Sequence, residues 1–193
     1  MLINKSKAVD TMASSVTGNG GASEGLKGGG VFEVICRDKD GNIKWTAKSH
    51  NLVVNVGLQD MNAKYFSGSS YTAAWYIGLY GAGASNTPAA GDTMSSHSGW
   101  TEDTNYSEST RPACTFGTAT TADPSVITNT ASPAAFSINA STTIGGAFLT
   151  SNNTKSGTTG ILFSASDFSS PGDRAVVSGD SINVTYTFSL DAA

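Results

Sequence analysis

The segment Ser181-Ile182-Asn183-Val184-Thr185-Tyr186-Thr187-Phe188-Ser189-Leu190 carries the clearest structural pattern in the chain. Apolar side chains occupy every second position, and Ser, Asn or Thr occupies each position between them. Because successive side chains of a β-strand point to opposite faces, this alternation predicts a strand with one buried and one polar face. A slip of one residue would bury the hydroxyl-bearing face, so the pattern itself sets the register of this strand.

Shorter apolar segments of similar character precede this strand and are separated by turn residues such as Asp123-Pro124 and Asn152-Asn153. They predict strands over residues 113–116, 126–130, 134–138, 144–150 and 161–163. Several short strands at a spacing of roughly 8–12 residues are typical of a sandwich or jelly roll. The sequence therefore predicts an all-β, jelly-roll-like β-sandwich.

The first half of the domain is predicted to hold a β-hairpin and one short helix. Apolar residues alternate from Phe32 to Cys36, a turn follows at residues 38–42, and a return strand begins at Ile43. Asn55 is expected to cap a helix over residues 56–66. Its apolar stripe, formed by Leu58, Met61 and Tyr65, is narrow, so we expect the helix to lie against a sheet edge.

Residues 1–30 differ in composition from the rest and predict an extended, flexible N-terminal arm, with the sandwich domain spanning residues 31–193. Seven glycines fall between positions 18 and 30, and too little apolar surface is present to offset the entropy of ordering. The scattered apolar residues are candidates for partner binding, with a passive linker as the alternative. They are Leu2, Ile3, Val9, Met12, Val16 and Leu26.

The charge content argues against two classes of partner. The 193-residue chain has a net charge of -4 and only 13% charged residues, whereas nucleic-acid binding needs clustered Lys and Arg. No apolar run approaches the length needed to cross a bilayer, and no apolar stretch of a signal peptide follows Lys5 and Lys7. We therefore expect neither nucleic acid nor membrane as a partner, and a cytoplasmic origin or release by lysis. A weakly charged surface favours association, including with copies of the same chain.

No catalytic, cofactor or metal site is predicted. His50 and His97 lie among many serines, but the Gly-x-Ser-x-Gly signature of a nucleophile elbow is missing. Cys36 and Cys114 lack His or Cys neighbours at zinc spacing and are expected to be small buried residues, with a single disulfide between them left open. The carboxylates of Glu102, Asp103 and Glu108 are expected to be solvated in a polar loop. The prediction is a protein that is not an enzyme.

Residues 74–116 contain two of the three tryptophans and predict an interface or a set of loop anchors. The strand expected at residues 75–80 is apolar on both faces, which indicates a central or interface-facing position. Four residues are candidate anchors: Tyr80, Trp100, Tyr106 and Arg111. Because Pro112 holds the preceding residue extended, Arg111 is expected to pair with Glu102 or Glu108 and pin the loop, with partner binding as the alternative.

The chain resembles a family of small structural proteins of tailed bacteriophages. The resemblance rests on Trp75-Tyr76-Ile77-Gly78-Leu79, on the stretch from Asp92 to Glu102, on Gly145-Gly146-Ala147-Phe148-Leu149 and on Ser178-Gly179-Asp180, and it covers most of residues 31–190. Members are usually encoded among head genes, and several are capsid decoration, or cement, proteins with a jelly-roll-like fold. The resemblance supplies no catalytic motif.

The resemblance implies a decoration protein on the outer surface of the virion, assembled in the cytoplasm of the host bacterium. Its implied partners are the major capsid protein, whose neighbouring subunits it would clamp, and copies of itself. The alternative is a tail- or vertex-associated carbohydrate-binding module, in which exposed Tyr80, Trp100 and Tyr106 would stack on sugars.

Overall fold

The computed structural model describes residues 26–71, 73–82, 87–168 and 172–192. Within these ranges the chain forms eleven strands and one helix. The strands are β1 (Leu26–Arg37), β2 (Ile43–His50), β3 (Leu52–Val53), β4 (Tyr76–Gly81), β5 (Glu102–Asp103), β6 (Ser125–Thr128), β7 (Ala134–Ser137), β8 (Thr142–Thr150), β9 (Leu162–Asp167), β10 (Arg174–Val176) and β11 (Ser181–Ala192); the helix is α1 (Asn55–Tyr65).

The strands form two antiparallel sheets, which confirms the predicted all-β sandwich. In the described ranges the first sheet has the order β2-β1-β11-β6, and β7 also pairs with β11. The second has the order β3-β9-β8-β4-β5, and β10 also pairs with β8. Inward side chains of both sheets, such as Phe32, Val184, Ile77 and Leu149, share one core cluster. The jelly-roll connectivity stays a prediction.

The ladder between β1 and β11 is the longest in the first sheet and includes the last residues of the segment that the sequence predicted to be a flexible arm. It runs from the pair Leu26↔Ala192 to the pair Arg37↔Ser181. As predicted, every second residue of β11 from Ile182 to Phe188 is buried. Strand β1, however, begins at Leu26 and not at residue 31, because β11 is long enough to pair with the glycine-rich segment as well. The other proposed arm contacts lie outside the described residues: Leu2, Ile3, Val9, Met12 and Val16.

Two glycines of β1 lie close beneath aromatic rings of β11. A Cβ atom on Gly30 would lie 2.5 Å from the hydroxyl oxygen of Tyr186, and one on Gly28 would lie 3.3 Å from Cζ of Phe188. The rings of β11 therefore lie over a stretch of β1 that has no side chains. The glycine-rich composition predicted a flexible arm here. In the structure Gly28 and Gly30 belong to strand β1 and lie against the rings of β11.

The second sheet is covered on both faces. A separate cluster lies on its outer side and brings Met94 and Trp100 of the loop after β4 onto Tyr80, Phe148 and Leu162. This explains why β4 is apolar on both faces and why residues 144–150 of β8 are all buried. The second sheet thus forms the middle layer between the first sheet and this loop.

Helix α1 lies against β9, as expected, but its N-terminus differs from the prediction. Asn55 is the first helical residue, and Val54 is the N-cap without a capping hydrogen bond from its side chain. Gly57 makes the close contact, since a Cβ atom there would lie 2.4 Å from the carbonyl oxygen of Phe163. Of the predicted apolar stripe only Met61 packs against the core, whereas Leu58 and Tyr65 are exposed.

Other sequence expectations are settled locally. The strand predicted at residues 113–116 is reduced to one bridge between Tyr76 and Ala113, and strands β5 and β10 had not been predicted. Cys36 and Cys114 are buried and free, so they do not form a disulfide. No helix in the described part of the chain is long and apolar enough to cross a membrane.

Candidate binding surface

Arg111 is the centre of a buried polar cluster that joins two loops. Its Nε and Nη2 atoms donate to Glu102 Oε1 and Oε2 at 2.8 and 2.7 Å, and the side chain of Arg111 is 0% exposed and that of Glu102 7%. Two further N–H groups donate to backbone carbonyl oxygens, Nη1 to Asn152 at 2.8 Å and Nη2 to Gly157 at 3.1 Å. The guanidinium also lies 5.2 Å from the centre of the Phe148 ring. The predicted pairing of Arg111 with Glu102 is confirmed.

The carboxylates of Glu102 and Asp103 are largely removed from solvent, contrary to the sequence-based expectation, whereas Glu108 is partly exposed. Glu102 also accepts a hydrogen bond from the backbone N–H of Ser156 at 2.6 Å. Ser156 itself has a φ of 57°. Buried Asp103 accepts from Thr142 Oγ1 at 2.6 Å, and Glu108 accepts from the backbone N–H of Ser137 at 3.1 Å. Local sequence patterns could not predict these partners, because each lies about 30 to 55 positions away along the chain.

Lys155 makes a second connection between the same loops. Its ammonium group donates to the carbonyl oxygens of Tyr106 and Glu108 at 2.8 and 3.0 Å and lies 3.8 Å from the centre of the Tyr106 ring. Arg111 and Glu102 therefore neutralise each other, whereas Lys155 is held by backbone carbonyl oxygens and a ring. Their arrangement positions loops and leaves no guanidinium donor aimed at solvent.

The three aromatic residues predicted to be exposed are buried, which is a correction to the sugar-stacking hypothesis. Trp100 is 4% exposed, and Tyr80 and Tyr106 are buried more completely still. The indole N–H of Trp100 donates to Asp92 Oδ2 at 3.0 Å, and the ring of His97 stacks on it at 3.8 Å. Burial raises the pKa of both tyrosines, chiefly through desolvation. These residues are anchors of the fold, and none of them presents a face to a sugar.

A small opening of about 180 Å³ lies beside this region, lined by Met94, His97, Ser156 and the Arg111–Glu102 pair among others. Within the described residues no group of three His, Cys, Asp or Glu side chains is placed to hold a metal ion. Arg111 and Glu102, which also line the opening, are already hydrogen-bonded to each other, and His97 Nδ1 lies 3.0 Å from the carbonyl oxygen of Trp100.

Large exposed aromatic side chains lie instead at the end of α1. Tyr65 is 84% exposed and Phe66 is 79% exposed, and their rings meet edge to face with centroids 4.9 Å apart. Leu58 and Tyr71 are also about half exposed. We call these four residues the aromatic rim. Contiguous exposed apolar surface of this kind marks interaction sites on soluble proteins.

An apolar opening, which we call the end cleft, adjoins the aromatic rim at Tyr71. The Tyr71 hydroxyl accepts a hydrogen bond from Trp75 Nε1 at 2.8 Å, and Trp75 forms one wall of the cleft. The cleft has a volume of about 500 Å³ and lies between the two sheets. Its lining residues are Met61, Tyr71, Ala73, Trp75, Phe116, Gly117, Ile127, Leu149, Phe163, Tyr186 and Phe188.

The walls of the end cleft are aromatic rings that pack edge to face. The Trp75 and Phe163 rings lie 5.4 Å apart, and the Phe163 and Phe188 rings lie 5.5 Å apart. Tyr186 is held at the base, where Asn51 Nδ2 donates to its hydroxyl at 2.8 Å. Because aromatic pairs of this geometry are favourable, the walls are pre-formed and do not need a ligand to assemble them.

The sequence-based analysis missed both features, although one signal was present. Tyr65 and Phe66 are adjacent, and adjacent residues of a helix point in directions about 100° apart, so both cannot lie on one buried face. The turn residues Gly68 and Ser69 follow directly. An aromatic pair at a helix end is therefore a reason to expect that at least one of the two rings is exposed.

Comparison of the chain with protein-family models, with curated proteins and with solved structures found no match. The resemblance to phage structural proteins therefore stays a prediction, carried by the residues quoted for it.

Proposed function

We propose that this chain is a capsid decoration protein of a tailed bacteriophage, bound to the outer surface of the head. In this role it clamps neighbouring subunits of the major capsid protein and contacts copies of itself. The observation that carries the proposal is the aromatic rim, which leaves Tyr65 and Phe66 almost fully exposed while the charged clusters of the fold are satisfied internally.

The composition of the surface supports a protein partner. Tyr and Phe are among the residues enriched at protein interfaces, and each contributes roughly 1.5–3 kcal/mol when it is fully buried. A contact that rests on two such residues is modest for a single copy. On a capsid the same contact is repeated by symmetry, and association between neighbouring copies adds avidity without any new type of contact.

The proposal is tested first by the copy number and location of the protein in purified virions, using gel densitometry and cryo-EM. A copy number near that of the major capsid protein, with density on the outer shell, is the expected result. A few copies at the tail or a vertex would replace the proposal with the tail- or vertex-associated module.

A binding assay then tests the role of the aromatic rim. Phage heads purified without the protein are mixed with the wild-type chain, with Tyr65→Ser/Phe66→Ser, or with the control Ile43→Ser, and bound protein is measured by co-sedimentation. Ile43 is also exposed, but it pairs with Arg37 at the far end of β1 from Leu26. Loss of binding in the rim variant alone is expected; equal binding of all three proteins would overturn the assignment of this surface.

A further inference from the structure

We propose that residues 1–25 of the same polypeptide occupy the end cleft and cover its aromatic walls. This inference goes beyond the decoration function and does not depend on it. It concerns the first occupant of the cleft, whereas the shell contact proposed above uses the exposed rings of the aromatic rim.

The position at which the chain enters the fold is the first argument. Residues 1–25 lead directly into Leu26, which pairs with Ala192 at the end of β11. Two residues later, a Cβ atom on Gly28 would lie 3.3 Å from the ring of Phe188, and Phe188 is a wall of the end cleft. The segment outside the described residues therefore starts beside the opening.

The length of this segment is sufficient for it to reach any part of the cleft. An extended chain spans about 3.3–3.6 Å per residue, so a segment of 25 residues is far longer than it needs to be to enter the end cleft. Because the segment is tethered next to the opening, its local concentration is on the order of millimolar, well above the concentration of other copies in dilute solution. The chain's own segment is therefore the favoured occupant.

Chemical complementarity is the third argument. The segment contains Val9, Met12 and Val16 within eight residues and offers few charges near them. A methionine side chain is flexible and suits an irregular apolar space. The cleft itself is walled mainly by aromatic and aliphatic side chains, and a volume of about 500 Å³ accommodates several side chains of this size. Covering it removes apolar surface from water, which is favourable.

A paramagnetic label on residue 12 tests the contact in the full-length chain. Met12→Cys offers a selective attachment point, because burial raises the pKa of the native thiols of Cys36 and Cys114 to about 11 and about 12 and keeps them protonated. The expected result is selective loss of amide NMR signals at Trp75, Phe116 and Phe163. A label attached through Ile43→Cys is the matched control, and it should broaden the β1–β2 turn instead.

Two outcomes would overturn the proposal. One is the lack of selective broadening around the end cleft. The other is broadening that persists when spin-labelled protein without ¹⁵N is mixed with unlabelled ¹⁵N protein, because it would show that a second copy supplies the occupant.

A second measurement uses the dye 1-anilinonaphthalene-8-sulfonate as a probe of exposed apolar surface. Val9→Ser/Val16→Ser should raise the fluorescence of the bound dye relative to wild type, whereas the control Ser14→Ala/Ser15→Ala should not. Far-UV circular dichroism of each variant verifies that the sandwich is folded. Equal fluorescence of all three proteins would refute the contact and would leave the decoration proposal, tested at Tyr65 and Phe66, unaffected.

Discussion

Replacing Arg111 with methionine is the sharpest test of how the loops around Trp100 are held together. Arg111→Met keeps an unbranched side chain of similar length but removes both hydrogen bonds to Glu102 and both bonds to backbone carbonyl oxygens. The Glu102 carboxylate, only 7% exposed, would then lack its countercharge. Among the described residues, only the backbone N–H of Ser156 would remain as its donor.

The expected loss of stability follows from leaving the Glu102 carboxylate buried without a countercharge, and not from the attraction between the two charges. Removing one partner of a buried ion pair costs about 3–5 kcal/mol, because the other charge is left buried and uncompensated. Arg111→Lys should recover only part of this, since one ammonium group cannot reproduce the planar fork that binds both carboxylate oxygens. Glu102→Gln combined with Arg111→Met should be less damaging than Arg111→Met alone, because no buried charge is then left unpaired.

Urea unfolding followed by circular dichroism and by Trp fluorescence measures these differences. The matched control is Lys48→Met, which breaks the exposed pair with Glu33, whose side chains are 65% and 48% exposed. That change should cost less than about 1 kcal/mol. If Arg111→Met costs no more than Lys48→Met, or if the double variant is the least stable of the set, the argument from burial is wrong.

Three further predictions concern packing, an unsatisfied hydroxyl and pH. Gly78→Ala should lower the free energy of unfolding by about 1–3 kcal/mol, because its Cβ atom would lie 2.1 Å from the Phe148 ring. The control Gly29→Ala places its Cβ atom where nothing lies within 4 Å, so it should be neutral or slightly stabilising. Urea unfolding of both variants measures the difference. Tyr106→Phe should leave stability unchanged or raise it, since the buried Tyr106 hydroxyl has no hydrogen-bond partner among the described residues, and a loss above about 1 kcal/mol would show that a partner exists. Burial raises the pKa of the two cysteine thiols above the usual value of 9.0, so the thiols of the unfolded chain ionise first as the pH rises. The free energy of unfolding should therefore fall above pH 9. A thiol reagent at pH 8 should label the native protein far more slowly than the unfolded one.

Local patterns in the sequence were sufficient wherever a residue's environment depends on its neighbours in the chain. The alternation from Ser181 to Leu190 predicted the strand, its register and its buried face. The hairpin turn at Asp38 was predicted from its residue types, and Asp38 accepts backbone hydrogen bonds from Asp40 and Asn42 at 2.9 Å. Pro112 indicated an extended, loop-pinning role for Arg111, and that role is confirmed by its pairing with Glu102.

The same patterns failed where burial is decided by distant segments. Trp100 and Glu102 have small and polar neighbours in the sequence, yet Trp100 is buried against the second sheet, and Glu102 accepts hydrogen bonds from Arg111 and from the backbone of Ser156. The opposite error occurred at α1, where Tyr65 was expected on the packed face. Gly57, and not an apolar side chain, makes the close contact with β9, so the helix is rotated away from the predicted stripe.

By itself, the sequence determined the fold class and the strand at residues 181–190 with its buried face, because strand periodicity and turn residues act over a few positions. Only the tertiary structure decided which aromatic residues are inside. Tyr80 and Trp100 are buried because the loop after β4 folds over the outer face of the second sheet, and Tyr106 is buried in the core cluster between the sheets. Tyr65 and Phe66 are exposed, and the close contact of α1 with β9 is made by Gly57. Burial depends on contacts between residues far apart in the chain, and residue type alone does not specify those contacts.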